Sequence, residues 1–154
     1  PVGNVPLGIA FDGTNMWVVN SCNFFCGGTV SKIRASDGVT LGNFPVGDGP
    51  IYPIYDGQFI WISNRDSNNL TKLRASDGSL VGTYTTGGTA PHWMAFDGNN
   101  IWVSNSTSNT IAKIRAKDGA LLGTFPTGTV PGGVAYDGAN IWVVNQNSAT
   151  VTKL

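Results

Sequence analysis

The four residues WVVN at positions 17–20 return as WISN at 61–64, WVSN at 102–105 and WVVN at 142–145. A phrase repeated at near-constant spacing constrains a chain more than any local motif, because each copy has to adopt the same structure and meet its neighbours in the same way. The units open on Pro6, Pro50, Pro91 and Pro131, with spacings of 44, 41 and 40 residues. Eleven residues after each proline stands Trp17, Trp61, Trp102 or Trp142. Six residues after it stands an Asp-Gly pair: Asp12-Gly13, Asp56-Gly57, Asp97-Gly98 and Asp137-Gly138.

Within the third unit, WMAFDG, NIWVSN, TIAKIR and LLGTFPTG are short runs rich in β-branched and aromatic residues, each bounded by turn formers. They predict four strands, A to D, of about five residues each. Asp-Gly at the A–B and C–D joints favours tight hairpins, because glycine takes positive φ without a Cβ clash. Composition agrees: all nine acids are aspartate, and glycine numbers 21. Strong helix formers are scarce, so the chain reads as all-β.

A lone four-stranded meander cannot bury both of its faces and must stack on its neighbours. Radial stacking of such units is a β-propeller, with the strand B tryptophans filling the space between blades. The phrase WVVN, the pattern SNxxxKxRASDG, then LGTFPTG, P, G and VAYDG resemble the YVTN and NHL type of β-propeller repeat, and the repeats of virginiamycin B lyase-like proteins. That resemblance implies a closed ring of six to eight blades. Here 154 residues supply one domain, 1–154, with repeats at 6–49, 50–90, 91–130 and 131–154, the last incomplete. The expected architecture is about four four-stranded antiparallel blades of about 41 residues, a partial ring or part of a larger one. An arc of this kind leaves two apolar blade faces open. The first reading is therefore a fragment of a longer chain, the second is self-association through the open faces, and the third is a compact four-bladed monomer.

Zero net charge, with basic residues spread along the chain, argues against a nucleic acid partner. Neither an apolar run of membrane-spanning length nor a leader-like start is present, which suggests a soluble, mature or excised segment. Cys22 and Cys26 sit four apart in SCNFFCGG. A short-loop disulfide, implying an oxidising compartment, is preferred over a metal site or free thiols. Asn69-Leu70-Thr71 and Asn105-Ser106-Thr107 match the N-glycosylation acceptor pattern. Together these point to an extracellular, cell-surface or periplasmic setting.

Fourteen of the 18 charged residues recur in register. Such groups are expected to be scaffold: aspartates capping turns, and Lys32, Lys72, Lys113 and Lys153 on solvent-facing parts of strand C. Asn20, Asn64, Asn105 and Asn145, which end strand B, are expected to form Asx turns with the following loop. Chemistry is sought where the repeats differ. After the opening prolines come Leu7-Gly8, Ile51-Tyr52, His92-Trp93 and Gly132-Gly133, and the B–C loops also vary. Phe24, Phe25, Tyr52, Arg65, Asp66, His92 and Trp93 should therefore converge on one rim, where aromatics beside a few polar groups suit a sugar, peptide or small molecule. The competing view is that Tyr52 and Trp93 merely plug the axis and that His92 is a satisfied structural residue.

The lyase-like resemblance implies a catalytic histidine and a metal-binding acid. His92 is the sole histidine, and its link carries no acidic neighbour in sequence. The preferred reading is a non-enzymatic extracytoplasmic scaffold, needing no cofactor or metal, that binds a protein, peptide or carbohydrate through this rim. A subunit of a self-assembling surface layer or filament is the alternative, and a virginiamycin B lyase-like enzyme the second.

Overall fold

The computed structural model describes residues 1–21 and 27–154. Its described residues contain no helix and form four antiparallel sheets. The first holds β1 (Pro6–Phe11), β2 (Asn15–Asn20), β3 (Gly27–Arg34) and β4 (Thr40–Asp48) in meander order. The second holds β5 (Pro50–Tyr55), β6 (Phe59–Asn64), β7 (Asn69–Arg74) and β8 (Leu80–Thr85). The third holds β9 (Pro91–Phe96), β10 (Asn100–Asn105), β11 (Thr110–Arg115) and β12 (Leu121–Pro126). The fourth has three strands, β13 (Pro131–Tyr136), β14 (Ile141–Asn145) and β15 (Thr150–Lys153). Each sheet is one propeller blade. The first strands of successive blades, β1, β5, β9 and β13, pack in sequence along the inner side of the arc.

The repeated residues account for this regularity. In every A–B hairpin the aspartate accepts hydrogen bonds from the turn, as Asp97 does from the N–H groups of Asn99 and Asn100 at 2.9 and 2.7 Å. Its second oxygen accepts from the indole of the strand B tryptophan: Trp17 at 2.7 Å, Trp61 at 2.8 Å, and Trp102 and Trp142 at 2.7 Å each. One carboxylate thus fixes the hairpin and orients the ring that fills the gap to the next blade. Trp17, Val19 and Val30 of the first blade pack on Ile60, Ile62 and Leu73 of the second. Trp61 and Leu70 pack on Ile101, Val103 and Ile114, and Trp102 and Ile111 on Ile141 and Val143. The core therefore lies between blades, with the strand D aromatics Phe44, Tyr84 and Phe125 set 5.3–5.7 Å from their own blade's tryptophan.

Two expectations are overturned. Lys32 and Lys72 are buried rather than solvent-facing. The Lys32 ammonium donates to the carbonyls of Ala75 and Ser76 at 2.7 and 2.8 Å, and that of Lys72 to Ala116 at 2.7 Å, each in the next blade. The stem spans the interface, and the head finds carbonyls left free at the neighbouring C–D turn. The second concerns the asparagines ending strand B, which reach across to strand C hydroxyls instead of forming Asx turns. Asn64 donates to Thr71 Oγ1 at 2.8 Å, and Asn145 to Thr152 Oγ1 at 2.9 Å. Burial at the strand end puts the hydroxyls within reach while the loop runs outward.

Candidate functional site

The site begins with an irregularity common to the inner strands. Pairing between strands A and B skips just after the opening proline: between Pro6 and Ile9, between Pro50 and Tyr52, opposite Val103–Asn105, and between Pro131 and Val134. These bulges fall on the positions where the repeats differ. A bulge releases side chains from the pleat and re-aims them, so it can present residues without disturbing the blade behind.

The bulge is set up by the residue before each proline, which has positive φ: 46° at Val5, 59° at Gly49, 53° at Ala90 and 53° at Val130. Hydrogen bonds hold this kink. The carbonyl of the kinked residue accepts from the B–C loop of its own blade, from Ser21, Arg65, Ser106 and Gln146 at 2.9–3.0 Å. The N–H groups of Ala90 and Val130 donate to Asn68 and Asn109 of the preceding blade, both at 2.8 Å. Loop and link are thereby one rigid rim.

On this rim Leu7, Gly8, Ile9, Ile51, Tyr52, Arg65, His92 and Trp93 line a mainly apolar cavity of about 630 Å³. Tyr52 and Trp93, from adjacent blades, lie 5.0 Å apart between ring centroids, and the His92 ring stands edge-on to Trp93 at 5.6 Å. Ser63 Oγ donates to the His92 carbonyl at 2.6 Å and so ties the bulge of the third blade to the second. Burial, reinforced by the positive Arg65, lowers the His92 pKa below its usual 6.5. Near neutral pH the ring is an uncharged donor and acceptor. Arg65 itself is half exposed and paired with Asp66, Nε to Oδ1 at 2.7 Å.

The structure brings together Tyr52, Arg65, His92 and Trp93. Asp66 serves the site through Arg65 and does not line the cavity. Phe24 and Phe25 lie outside the described residues, as do Cys22 and Cys26 with their disulfide expectation. Leu7, Ile9 and Ile51 complete the apolar wall; as aliphatics they carry no signal that separates them from core, and only their position after a blade-opening proline marks them. Asn69 is half-buried and accepts from Asn64 at 2.8 Å. Asn105 is fully buried with its amide nitrogen bonded to Thr110 Oγ1 at 3.2 Å, so a glycan on it is incompatible with this fold. Among the described residues no cluster of three or more His, Cys, Asp or Glu side chains is arranged to hold a metal ion.

Four radially stacked antiparallel blades around an inner rim define a β-propeller arc. The chain belongs to the family described as lactonase, 7-bladed β-propeller, whose model matches residues 29–136. No curated protein matches it. Solved structures resemble it at low identity, which carries the fold alone. A functionally unknown protein from Desulfotomaculum acetoxidans is 19% identical, with a TM-score of 0.79 over 97% of this chain and 55% of its own. A catalytically inactive virginiamycin B lyase from Staphylococcus aureus, solved with quinupristin, is also 19% identical, with a TM-score of 0.79 over 98% of this chain and 52% of its own. The computationally designed Ika4 protein is 12% identical, with a TM-score of 0.85 over 98% of this chain and 91% of its own. This chain thus spans about half the length of the two natural neighbours.

Proposed function

We propose that the chain is a binding propeller, acting outside the cytoplasm, that takes a ligand with an apolar face into the cavity between Tyr52 and Trp93. The observation that carries this reading is the division of labour among residues. The aspartates and asparagines shared by the repeats are engaged in turn and strand contacts, and Lys32 and Lys72 in interblade contacts, whereas the non-repeated side chains Tyr52, Arg65, His92 and Trp93 face one cavity. Stacked rings offer the flat surface that suits a sugar ring or an aromatic peptide side chain, and neutral His92 with Arg65 supplies polar recognition at the edge. The extracytoplasmic setting rests on the Cys22 and Cys26 spacing and the Asn69 sequon.

A binding role is favoured over catalysis because the charge that acts on His92 is the cation Arg65 and no carboxylate acts on its ring, whereas a histidine general base is ordinarily oriented by an acidic partner. The test is a glycan and peptide array probed with the labelled chain. A ligand class should be retained by the parent and lost in Tyr52→Ala and Trp93→Ala, with the circular dichroism spectrum unchanged. Equal retention by both variants would remove the cavity from the account.

A further inference from the structure

The cavity at the inner rim has a surplus of hydrogen-bond donors, and that surplus narrows its ligand. Tyr52 and Arg65 belong to the second blade and His92 and Trp93 to the third, and each of these blades is flanked by a blade on both sides. Their main chains are tied down. The N–H groups of Tyr52 and Trp93 donate to Ser63 and Ser104 Oγ, both at 3.2 Å, and the His92 carbonyl accepts from Ser63 Oγ at 2.6 Å. Their side chains are not so engaged. The indole N–H of each repeated tryptophan donates to an aspartate, whereas that of Trp93 meets no acceptor among the described residues. Within the same residues the Tyr52 hydroxyl and the His92 ring have no hydrogen-bond partner either, and all three side chains line the cavity.

Arg65 completes the imbalance. Asp66 accepts from its Nε at 2.7 Å and from Nη2 at 3.2 Å, which leaves Nη1 unengaged among the described residues. Arg65 lines the cavity and Asp66 does not, so the positive end of the pair faces inward. The field inside agrees, since the charge that acts on His92 is that of Arg65, with no carboxylate to offset it. Indole and guanidinium nitrogens only donate. A sugar hydroxyl accepts while bringing a donor that needs an acceptor in turn, whereas a carboxylate accepts at both oxygens and donates nothing. The rings set the rest of the ligand. Tyr52 and Trp93 are tilted by 56° to one another and His92 stands edge-on to Trp93, an arrangement that receives a further flat ring by its edge or face. A volume of about 630 Å³ suits a small molecule.

Taking this cavity as the binding site, we propose that its ligand is a small aromatic carboxylate, with the ring against Tyr52 and Trp93 and the carboxylate accepting from the Arg65 guanidinium at the cavity edge.

The test is calorimetric titration of the 154-residue chain with cinnamate and with cinnamamide, which share one aromatic body and differ in charge. Cinnamate is expected to bind at least about tenfold more tightly, the gain of a charge-assisted pair over a neutral one. Arg65→Gln should bring the two probes to the same affinity, and Arg65→Lys, which keeps the charge, should retain part of the preference. Trp93→Ala should lose both probes with the circular dichroism spectrum unchanged. Equal affinity of the parent for the two probes, both lost in Trp93→Ala, overturns the carboxylate and leaves the aromatic cavity standing. A preference that survives Arg65→Gln overturns it equally. Cinnamate binding that persists in Trp93→Ala lies elsewhere and removes the cavity as well. If neither probe binds, the aromatic carboxylate is overturned, while the glycan and peptide array still decides whether the cavity takes another ligand.

Discussion

Lys72 makes the sharpest test of how the blades are held. Its side chain is fully buried, its ammonium donates to the Ala116 carbonyl at 2.7 Å, and it lies 4.0 Å from the Phe59 ring centroid and 4.8 Å from that of Trp61. Lys72→Ala removes three buried methylenes, worth about 0.8 kcal/mol each. It also deprives a buried carbonyl of its donor, at about 1–3 kcal/mol. Against this stands relief from burying a charge, the cause that lowers the Lys72 pKa from its ordinary 10.5. The net loss expected is about 3 kcal/mol. Lys72→Met keeps most of the stem and should lose about 1–2 kcal/mol, the part that belongs to the ammonium.

Urea unfolding followed by tryptophan fluorescence reads both values. With a slope near 2 kcal/mol per molar, Lys72→Ala should lower the midpoint by about 1.5 M at constant slope. Lys153→Ala is the internal control: the same repeat position, exposed, should change stability by less than about 0.5 kcal/mol. The reasoning fails if Lys153→Ala costs as much as Lys72→Ala, or if Lys72→Ala costs under about 1 kcal/mol. Either result would mean that the carbonyl contact does not tie the blades.

Gly119→Ala and Gly38→Ala share a similar positive φ, 76° and 73°, but a Cβ at Gly119 would collide with the Tyr84 ring whereas Gly38 is open; thermal melts should show Gly119→Ala less stable than Gly38→Ala by about 1–3 kcal/mol, the overpacking component alone. The Asp137 carboxyl is held well below its ordinary 3.8 by the Trp142 indole and then by the N–H groups of Asn140 and Ala139, and Asp97 is lowered too, where hydrogen bonds from Asn100 and Trp102 outweigh burial. A depressed acid stabilises the fold above the unfolded value, so stability should hold down to about pH 4 and fall as pH drops through the lower folded values, with Asp97→Asn flattening the acid limb of a circular dichroism titration. The His92 ring, followed by NMR, should titrate below 6.5, and because the unfolded chain binds that proton more tightly, stability should rise with pH up to about 6.5 and then level off. A His92 midpoint above 6.5 would contradict the burial assigned to it.

The blade is legible in the sequence because its signals are local. Asp-Gly turns, alternating apolar residues and the proline-to-tryptophan interval all act within one repeat. Convergence of Tyr52, Arg65, His92 and Trp93 is also legible, since four copies serve as controls for one another and these positions are among those that depart from the common pattern. What stays hidden is whatever depends on the neighbouring blade. A lysine in an alternating strand looks solvent-facing, and nothing within one repeat says that the next C–D turn will bring carbonyls to it. The asparagine role has a weak trace: Thr29 and Ser31, Asn69 and Thr71, and Thr150 and Thr152 stand at alternate strand C positions, on the side that faces the strand B amide. The indole–aspartate bond leaves a fixed interval of five residues across the A–B hairpin.

The same logic explains why the non-repeated side chains gather where they do. A blade can change sequence only where a change does not propagate, and an interblade face is the worst such place, because each residue there is met by a partner repeated around the arc. Strand A after its proline is different: the bulge has already released the backbone from pairing, and the rim hydrogen bonds from Asn68, Asn109 and the B–C loops involve main-chain or loop groups rather than the bulged side chains. His92 and Trp93 can therefore replace the glycines found at 132 and 133 without altering the pairing beyond Met94 or Val134. Because the bulges of adjacent blades converge at the inner edge, two independent substitutions, Tyr52 in one and Trp93 in the next, become one aromatic surface with ring centroids 5.0 Å apart. A rigid frame with free positions at its narrowest point is a means of building a pocket from single residues, and it demands no further rearrangement of the fold.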